Sequence, residues 1–377
     1  MNLADLLRAQ LAEWESANLR RTLRPVDPTL LNFAANDYLG LSQHPMLIEA
    51  ARRATSERGT GAGASRLVTG TDAAVLALEE ELAAWKETEA ALVFSSGFAA
   101  ALGTIPALIG KGDTVILDKL AHASLIDGAR LSGATVRTFP HNDLRRLETL
   151  LKKVSSDKTR TLIVTESIFS MDGDFAPLRN LVDLKERFGA WLLVDEAHAT
   201  GLYGQTGAGL VAEAGVSARI EVIMGTLSKA LGSVGGYIAG SRVLTDWLVN
   251  RARSFVFSTA LPPGAIAASH AAIRLCRGTE GETLRARLRQ NIARFREGLP
   301  AAWKENAISE SAIQPLSCGE ADAALQLAAQ LRERGFLIPA IRYPTVPRAA
   351  ARLRVTLSAS HAGKDVDALN AALAKLH

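Results

Sequence analysis

Cysteine is almost absent from this chain: Cys276 and Cys318 are the two in 377 residues, far apart and without metal-type spacing. That supports neither a disulfide framework nor a zinc site. No uninterrupted apolar stretch is long enough to span a bilayer. The opening residues carry an acid and lack a basic stretch ahead of an apolar core, so no signal peptide is expected. A large excess of one charge is missing too. Lys and Arg number 43 against 39 Asp and Glu, net +4 with a pI near 9.1. The balance is too mild to argue for nucleic acid, although it suits an anionic substrate or carrier. Internal repeats and low-complexity tracts are absent. A cytoplasmic enzyme with no membrane partner is the expectation.

What is present is an ordinary globular composition, 48% hydrophobic and 22% charged, in a chain long enough for two domains. Basic residues gather at Arg20-Arg21-Thr22-Leu23-Arg24 and along Arg285 to Arg296; the second cluster reads as a solvated helix face. Residues 3–21 place Leu3, Leu6, Leu7, Leu11 and Trp14 at helical spacing. From about residue 45, helices alternate with short apolar strands near 90–94, 114–117, 135–139, 161–165, 191–194 and 220–224. Such alternation predicts an α/β fold, a mostly parallel central sheet with helices on both faces. After Pro262-Pro263 the pattern changes to a smaller α+β C-terminal domain. The expected divisions are 1–42 for an N-terminal helix and strand, 43–272 for the large domain and 273–377 for the small one.

In parallel sheets, ligands gather at the carboxyl ends of the strands. The polar clusters fall there. Lys229 lies in Gly225-Thr226-Leu227-Ser228-Lys229, a small, hydroxyl-rich turn after an apolar run. A lysine there could lose its proton and form a Schiff base with an aldehyde, although an ordinary turn lysine is the alternative. Asp195 ends the strand 191–194, and an acid one strand away from such a lysine suggests pyridoxal 5′-phosphate. Asp195, Glu196 and His198 could instead ligate a metal, but no partner cluster accompanies them. Ser95-Ser96-Gly97-Phe98 follows a strand and opens a helix, a natural phosphate cradle or a plain connection. Ser228 and Thr226 could add hydroxyl donors. His122 reads as a loop histidine or as an imidazole stacked on the cofactor ring. Glu166 and Ser170 could reach the cofactor edge, and Asp172-Gly173 makes a turn.

The motifs Asn36-Asp37-Tyr38-Leu39-Gly40-Leu41, Ser96-Gly97-Phe98-Ala99-Ala100, His122-Ala123-Ser124, Glu166 to Asp174, Asp195-Glu196-Ala197-His198 and Thr226-Leu227-Ser228-Lys229 together resemble the α-oxoamine synthases. These are fold-type-I pyridoxal phosphate transferases that condense an amino acid with an acyl thioester and lose CO₂. The resemblance implies that Lys229 holds the cofactor aldehyde and Asp195 pairs the pyridine nitrogen. It puts His198 and Ser170 at the ring oxygen, with Gly97, Phe98 and Thr226 helping to hold the cofactor. His122 would stack on the ring and, with Asn36, meet the substrates. Arg342 would take the amino acid carboxylate. Thr345 and either Arg20 or Arg21, with spacing to Pro25 favouring Arg21, would also contact substrate. The family forms homodimers, and Thr259 would reach the partner's phosphate. Segments 340–347 and 311–316 resemble the branch that joins L-alanine to a pimeloyl thioester, on coenzyme A or acyl carrier protein, in biotin synthesis. The alternative is a relative using glycine or serine with another acyl-CoA.

Overall fold

A computed structural model describes residues 2–154, 159–304 and 309–376. Met1 and His377, the ends of the expected domains, lie outside the described residues. In chain order the strands are β1 (Leu31–Asn32), β2 (Ala90–Phe94), β3 (Thr114–Asp118), β4 (Thr135–Phe139), β5 (Thr161–Glu166), β6 (Trp191–Asp195), β7 (Val222–Thr226), β8 (Gly236–Gly240), β9 (Ile313–Gly319), β10 (Phe336–Leu337), β11 (Ala340–Ile341) and β12 (Ala351–Thr356). The chain forms two compact units. The larger holds Asp37–Ser170 and Asp174–Arg287; the smaller holds the residues up to Asn36, Met171–Gly173 and those from Leu288 on.

The larger unit is built on a seven-stranded sheet in the order β2-β8-β7-β6-β5-β3-β4. Strands β4, β3, β5, β6 and β7 pair in parallel, while β8 runs antiparallel to both β7 and β2. Every residue of β2, β3, β5, β7 and β8 is buried, which is why these strands read as continuous apolar runs. β4 is the exception: it lies at the sheet edge and exposes alternate polar groups. Against the sheet pack the helices Gly97–Leu108 and Ala123–Leu131, sharing a core with Leu117, Val164 and Leu193. Gly128 permits the close approach of those two helices, because a Cβ there would come within 2.9 Å of the Ala101 carbonyl.

The smaller unit has the antiparallel sheet β11-β12-β9 and the short parallel pair β1-β10. Its N-terminal helix, Leu3–Ser16, is capped by Asn2 and stops short of the expected residue 21. The reason is local: Asn18 takes the left-handed conformation (φ 55°), which no helix interior accepts. Gly173 also belongs to this unit, with φ 69°, and a Cβ there would meet the Ile313 carbonyl at 2.4 Å. The expected Asp172-Gly173 turn is therefore glycine-dependent, and Asp172 accepts from Arg352 Nη1 at 2.6 Å.

One expectation fails. Arg285 belongs to no solvated face: it is 3% exposed and donates to the Cys276 and Gln205 carbonyls. Arg294 from the same cluster is exposed and pairs with Asp367.

Candidate active site

Because β2, β3, β5, β6 and β7 all run in one direction, their carboxyl ends share one edge of the sheet. β2 leads into Ser96, which caps the helix Gly97–Leu108 by accepting from Ala99 N at 3.0 Å. The N–H groups of the first turn, at Gly97 and Phe98, lack partners within their own helix. β3 leads to His122, the N-cap of the helix Ala123–Leu131, whose Nδ1 lies 2.8 Å from Ser124 Oγ. β5 ends in Glu166 and β6 in Asp195, directly opposite each other in the sheet register. β7 ends in Thr226, and Lys229 follows on the connection to β8.

That connection is tightly tied. Thr226 Oγ1 donates to the Gly235 carbonyl at 2.8 Å, and Ser228 Oγ donates to the same carbonyl while accepting from Gly235 N. Thr226 and Ser228 thus shape the lysine turn. Asp195 is buried and accepts from Ala197 N at 2.8 Å. His198 Nδ1 lies 2.6 Å from the hydroxyl of buried Tyr38. Ser170 is buried as well. Thr259 forms an isolated antiparallel bridge with Ser65.

Lys229, Asp195, His122 and Glu166 lie close enough to shift one another's protonation. Burial, and next the charge of Asp195, raise the Glu166 pKa well above the carboxylate range. Burial also raises Asp195, but Lys229, the Ala197 N–H and His122 favour its charged form. In both carboxyls burial is the largest cause of the rise and Lys229 opposes it, and Glu166 is the one held well above its ordinary value. His122 is exposed on one side, yet partial burial, with Lys229 adding to it, lowers its pKa against the pull of Asp195. At neutral pH its imidazole is uncharged.

These residues fit a pyridoxal phosphate site. Glu166 Oε1 is buried with no hydrogen-bond partner among the described residues, a polar atom awaiting a ligand. Gly97 opens the helix beside Thr226 with its backbone N–H left unpaired by the helix, a turn suited to an anion. The donor set is an amine, a carboxyl and an imidazole, the group types the cofactor's aldehyde, ring nitrogen and ring face call for. No cluster of His, Cys, Asp or Glu among the described residues is arranged to hold a metal ion, and no helix there is long and apolar enough to cross a membrane.

The comparisons agree with this chemistry. The model of the aminotransferase class I and II family matches residues 28–373. The 8-amino-7-oxononanoate synthase of Geobacter metallireducens is 51% identical over 348 residues, 92% of this chain and 89% of that protein. The chain belongs to the 8-amino-7-oxononanoate synthase family. It is a pyridoxal phosphate-dependent acyltransferase of fold type I. Among solved structures, serine palmitoyltransferase from S. paucimobilis with PLP and myriocin bound superposes with TM-score 0.92 at 28% identity, over 100% of this chain and 98% of that one. The 8-amino-7-oxononanoate synthase from Francisella tularensis gives TM-score 0.76 at 29% identity, over 93% and 98%. The backbone is thus common to differently named synthases, and the 51% identity to the Geobacter protein is what assigns the family.

Of the expected substrate residues, Arg21, Asn36, Arg342 and Thr345 lie in the smaller unit and His122 in the larger. Arg21 Nη2 donates to Thr345 Oγ1 at 3.0 Å, whereas Arg20 pairs with Glu15 at 2.7 Å, so Arg21 is the arginine brought to Thr345. Arg342 donates through Nε and Nη2 to the Asn18 and Arg20 carbonyls, and burial and then Arg21 lower its pKa. Asn36 Oδ1 accepts from buried Arg354 at 3.0 Å.

Three features of this region escaped the sequence reading. Tyr38, the partner of His198, stood inside a quoted motif without a role. Lys86 and Glu196, the residue after Asp195, form a fully buried ion pair, and a lysine ending an apolar helix was its signal. His141 bridges Asp118 at 3.0 Å and Asp174 at 2.6 Å, tying the end of β3 to the loop after β5. Carboxylates so distant in sequence give no local pattern for it.

Proposed function

We propose that this protein condenses L-alanine with a pimeloyl thioester to give 8-amino-7-oxononanoate, CO₂ and free thiol. The observation that carries the reading is the 51% identity to a synthase of that name across 92% of the chain. It is supported by Lys229, Asp195, His122 and Glu166 acting on one another at a single sheet edge.

Pyridoxal phosphate supplies an aldehyde for the amino group and an electron sink for charge at Cα. Lys229 holds that aldehyde and, once alanine has replaced it there, takes the Cα proton. Asp195 stays charged against the pyridine nitrogen and keeps it protonated. His122 would present its flat imidazole to the ring, and His198, held by Tyr38, and Ser170 would contact the ring oxygen. The N–H groups of Gly97 and Phe98 take the phosphate, with Thr226 shaping their cradle. Arg342 exchanges the Asn18 and Arg20 carbonyls for alanine's carboxylate, whose planar fork matches its own. Arg21, Thr345 and Asn36 orient the substrates. Overall, Cα loses a proton and bonds to the acyl carbon as the C–S bond breaks. The carboxylate then leaves as CO₂, and Cα is reprotonated.

The protein acts as a homodimer in which Thr259 serves the partner's phosphate. Exposed Phe98, Val234 and Phe257 on the larger unit support such a contact. A second reading, serine with a long-chain acyl-CoA, draws on the backbone likeness to serine palmitoyltransferase. Thiol release from pimeloyl-, succinyl- and palmitoyl-thioesters, each with alanine, glycine and serine, separates them. Preference for serine with palmitoyl thioester overturns the proposal.

A further inference from the structure

The proposed chemistry leaves one buried cation of the larger unit without a task. Lys86 follows the helix Ala73–Trp85, and its side chain is 1% exposed. Its ammonium group donates to Glu196 Oε2 at 2.8 Å, to Thr200 Oγ1 at 3.1 Å and to the Ala208 carbonyl. Glu196 and Thr200 are the two ends of one turn, in which the Glu196 carbonyl accepts from Ala199 N, Thr200 N and Thr200 Oγ1. Asp195 stands immediately before this turn and His198 stands inside it. From 110 residues away, Lys86 thus closes the turn that carries both of them. The other carboxylate oxygen of Glu196 accepts from Val211 N at 2.9 Å, so that side chain is fixed from two sides.

The same network extends towards the lysine turn. Lys86 Nζ lies 5.5 Å from the centre of the Tyr237 ring, and the Tyr237 hydroxyl lies 2.6 Å from Thr200 Oγ1. That hydroxyl fills the space beside Gly225 where a Cβ would stand, one residue before Thr226. A buried ion pair contributes little net stability, because desolvation offsets the attraction. What a fully satisfied buried network does supply is one fixed arrangement.

We infer that Lys86 is a positioning residue of the cofactor site, holding the turn from Glu196 to Thr200 so that Asp195 and His198 are set before pyridoxal phosphate arrives. The inference rests on the reading of Asp195 and His198 as cofactor residues, and Lys86 acts on them only through Glu196 and Thr200. A turn fixed in advance loses no further conformational freedom when the cofactor binds, whereas a loosened one must be ordered at that moment.

The test compares K86M/E196Q with the parent protein and with L151A. The double variant strands no buried charge, yet it lacks the Lys86 bonds. Leu151 is buried in the helix Leu144–Val154, and its truncation lowers stability without touching the turn. Hydrogen exchange of the apo-proteins is read by mass spectrometry. K86M/E196Q is expected to speed exchange in residues 195–201 about tenfold relative to β5, the effect of losing one or two buried hydrogen bonds. L151A should leave that ratio as in the parent. Pyridoxal phosphate is then titrated into each apo-protein and its Kd read from visible absorbance. Kd should rise about tenfold in K86M/E196Q, the scale at which the outer partners of ligating side chains act, and should hold in L151A. T200V removes only the hydroxyl that Lys86 and Tyr237 share; it should move both readouts the same way and serves if the double variant does not fold. An unchanged exchange ratio, a parental Kd, or equal changes in L151A overturns the inference. D195N, titrated alongside, separates it from the reading beneath it. If D195N binds the cofactor as the parent does, the assignment of Asp195 fails, while exchange in the apo-proteins still decides whether Lys86 holds the turn.

Discussion

Lys86 and Glu196 are 1% and 0% exposed, and Nζ lies 2.8 Å from Glu196 Oε2. Nζ also donates to Thr200 Oγ1 at 3.1 Å and to the Ala208 carbonyl, while Glu196 Oε1 accepts from Val211 N at 2.9 Å. Burial opposes the lysine's charge, but Glu196 and Tyr237 outweigh it and raise its pKa. At an effective dielectric of about 20, the attraction at this distance is about 6 kcal/mol, offset by several kcal/mol of desolvation per ion. The pair as a whole is near break-even, and one partner without the other is costly. K86M is therefore expected to lose about 3–5 kcal/mol, since it strands a buried carboxylate. K86M/E196Q removes both charges and is expected to recover at least half of that. Urea unfolding of the apo-protein, followed by far-UV circular dichroism, measures both. A K86M loss below about 1 kcal/mol, or a double variant as damaged as the sum of the singles, refutes the reasoning. Because Glu196 adjoins Asp195, K86M should also weaken cofactor binding, read from visible absorbance.

His141, held between two carboxylates, has its pKa raised to about 10: burial opposes the charge and the bonds to Asp118 and Asp174 outweigh it. The unfolded value is lower, so this contribution is complete below about pH 6.5 and is lost as pH rises through about 10. Melting temperature between pH 7 and 10 should therefore fall more steeply in the parent protein than in H141Q, and parallel curves would contradict this. D195N should retain the fold by circular dichroism yet lose at least about a hundredfold in kcat, since an amide cannot hold the ring nitrogen protonated. Cys276 is buried, its thiol pushed up to about 12, so a thiol reagent should modify it in the native protein far more slowly than after urea unfolding.

Much of this was legible in the sequence because the strands are buried on both faces and so appear as apolar runs. The 90–94, 135–139 and 191–194 runs lie in strands of the larger sheet. The run at 220–224 begins its strand only at Val222, because Ile220 and Glu221 lead in and Glu221 accepts from Leu192 N. β8 was missed, since Gly236-Tyr237-Ile238-Ala239-Gly240 carries the glycines of a turn, and with it the one antiparallel strand of the larger sheet. Lys229, Asp195 and His122 were readable as candidates because each stands at or a few residues past the carboxyl end of a strand. Their supports, Tyr38, Lys86 and His141, were not, because each meets its partner across a long stretch of chain. The segment from Gly59 to Gly70 went unread too, although its four glycines signal a special backbone and Gly70 has no room for a Cβ.

The most direct measurement follows alanine labelled at its carboxyl carbon through a single incubation with enzyme, pyridoxal phosphate and pimeloyl thioester. Thiol, labelled CO₂ and unlabelled 8-amino-7-oxononanoate are expected in equal amounts, with none from K229A. Labelled pyruvate without thiol release, or label retained in the product, would contradict the condensation at Lys229.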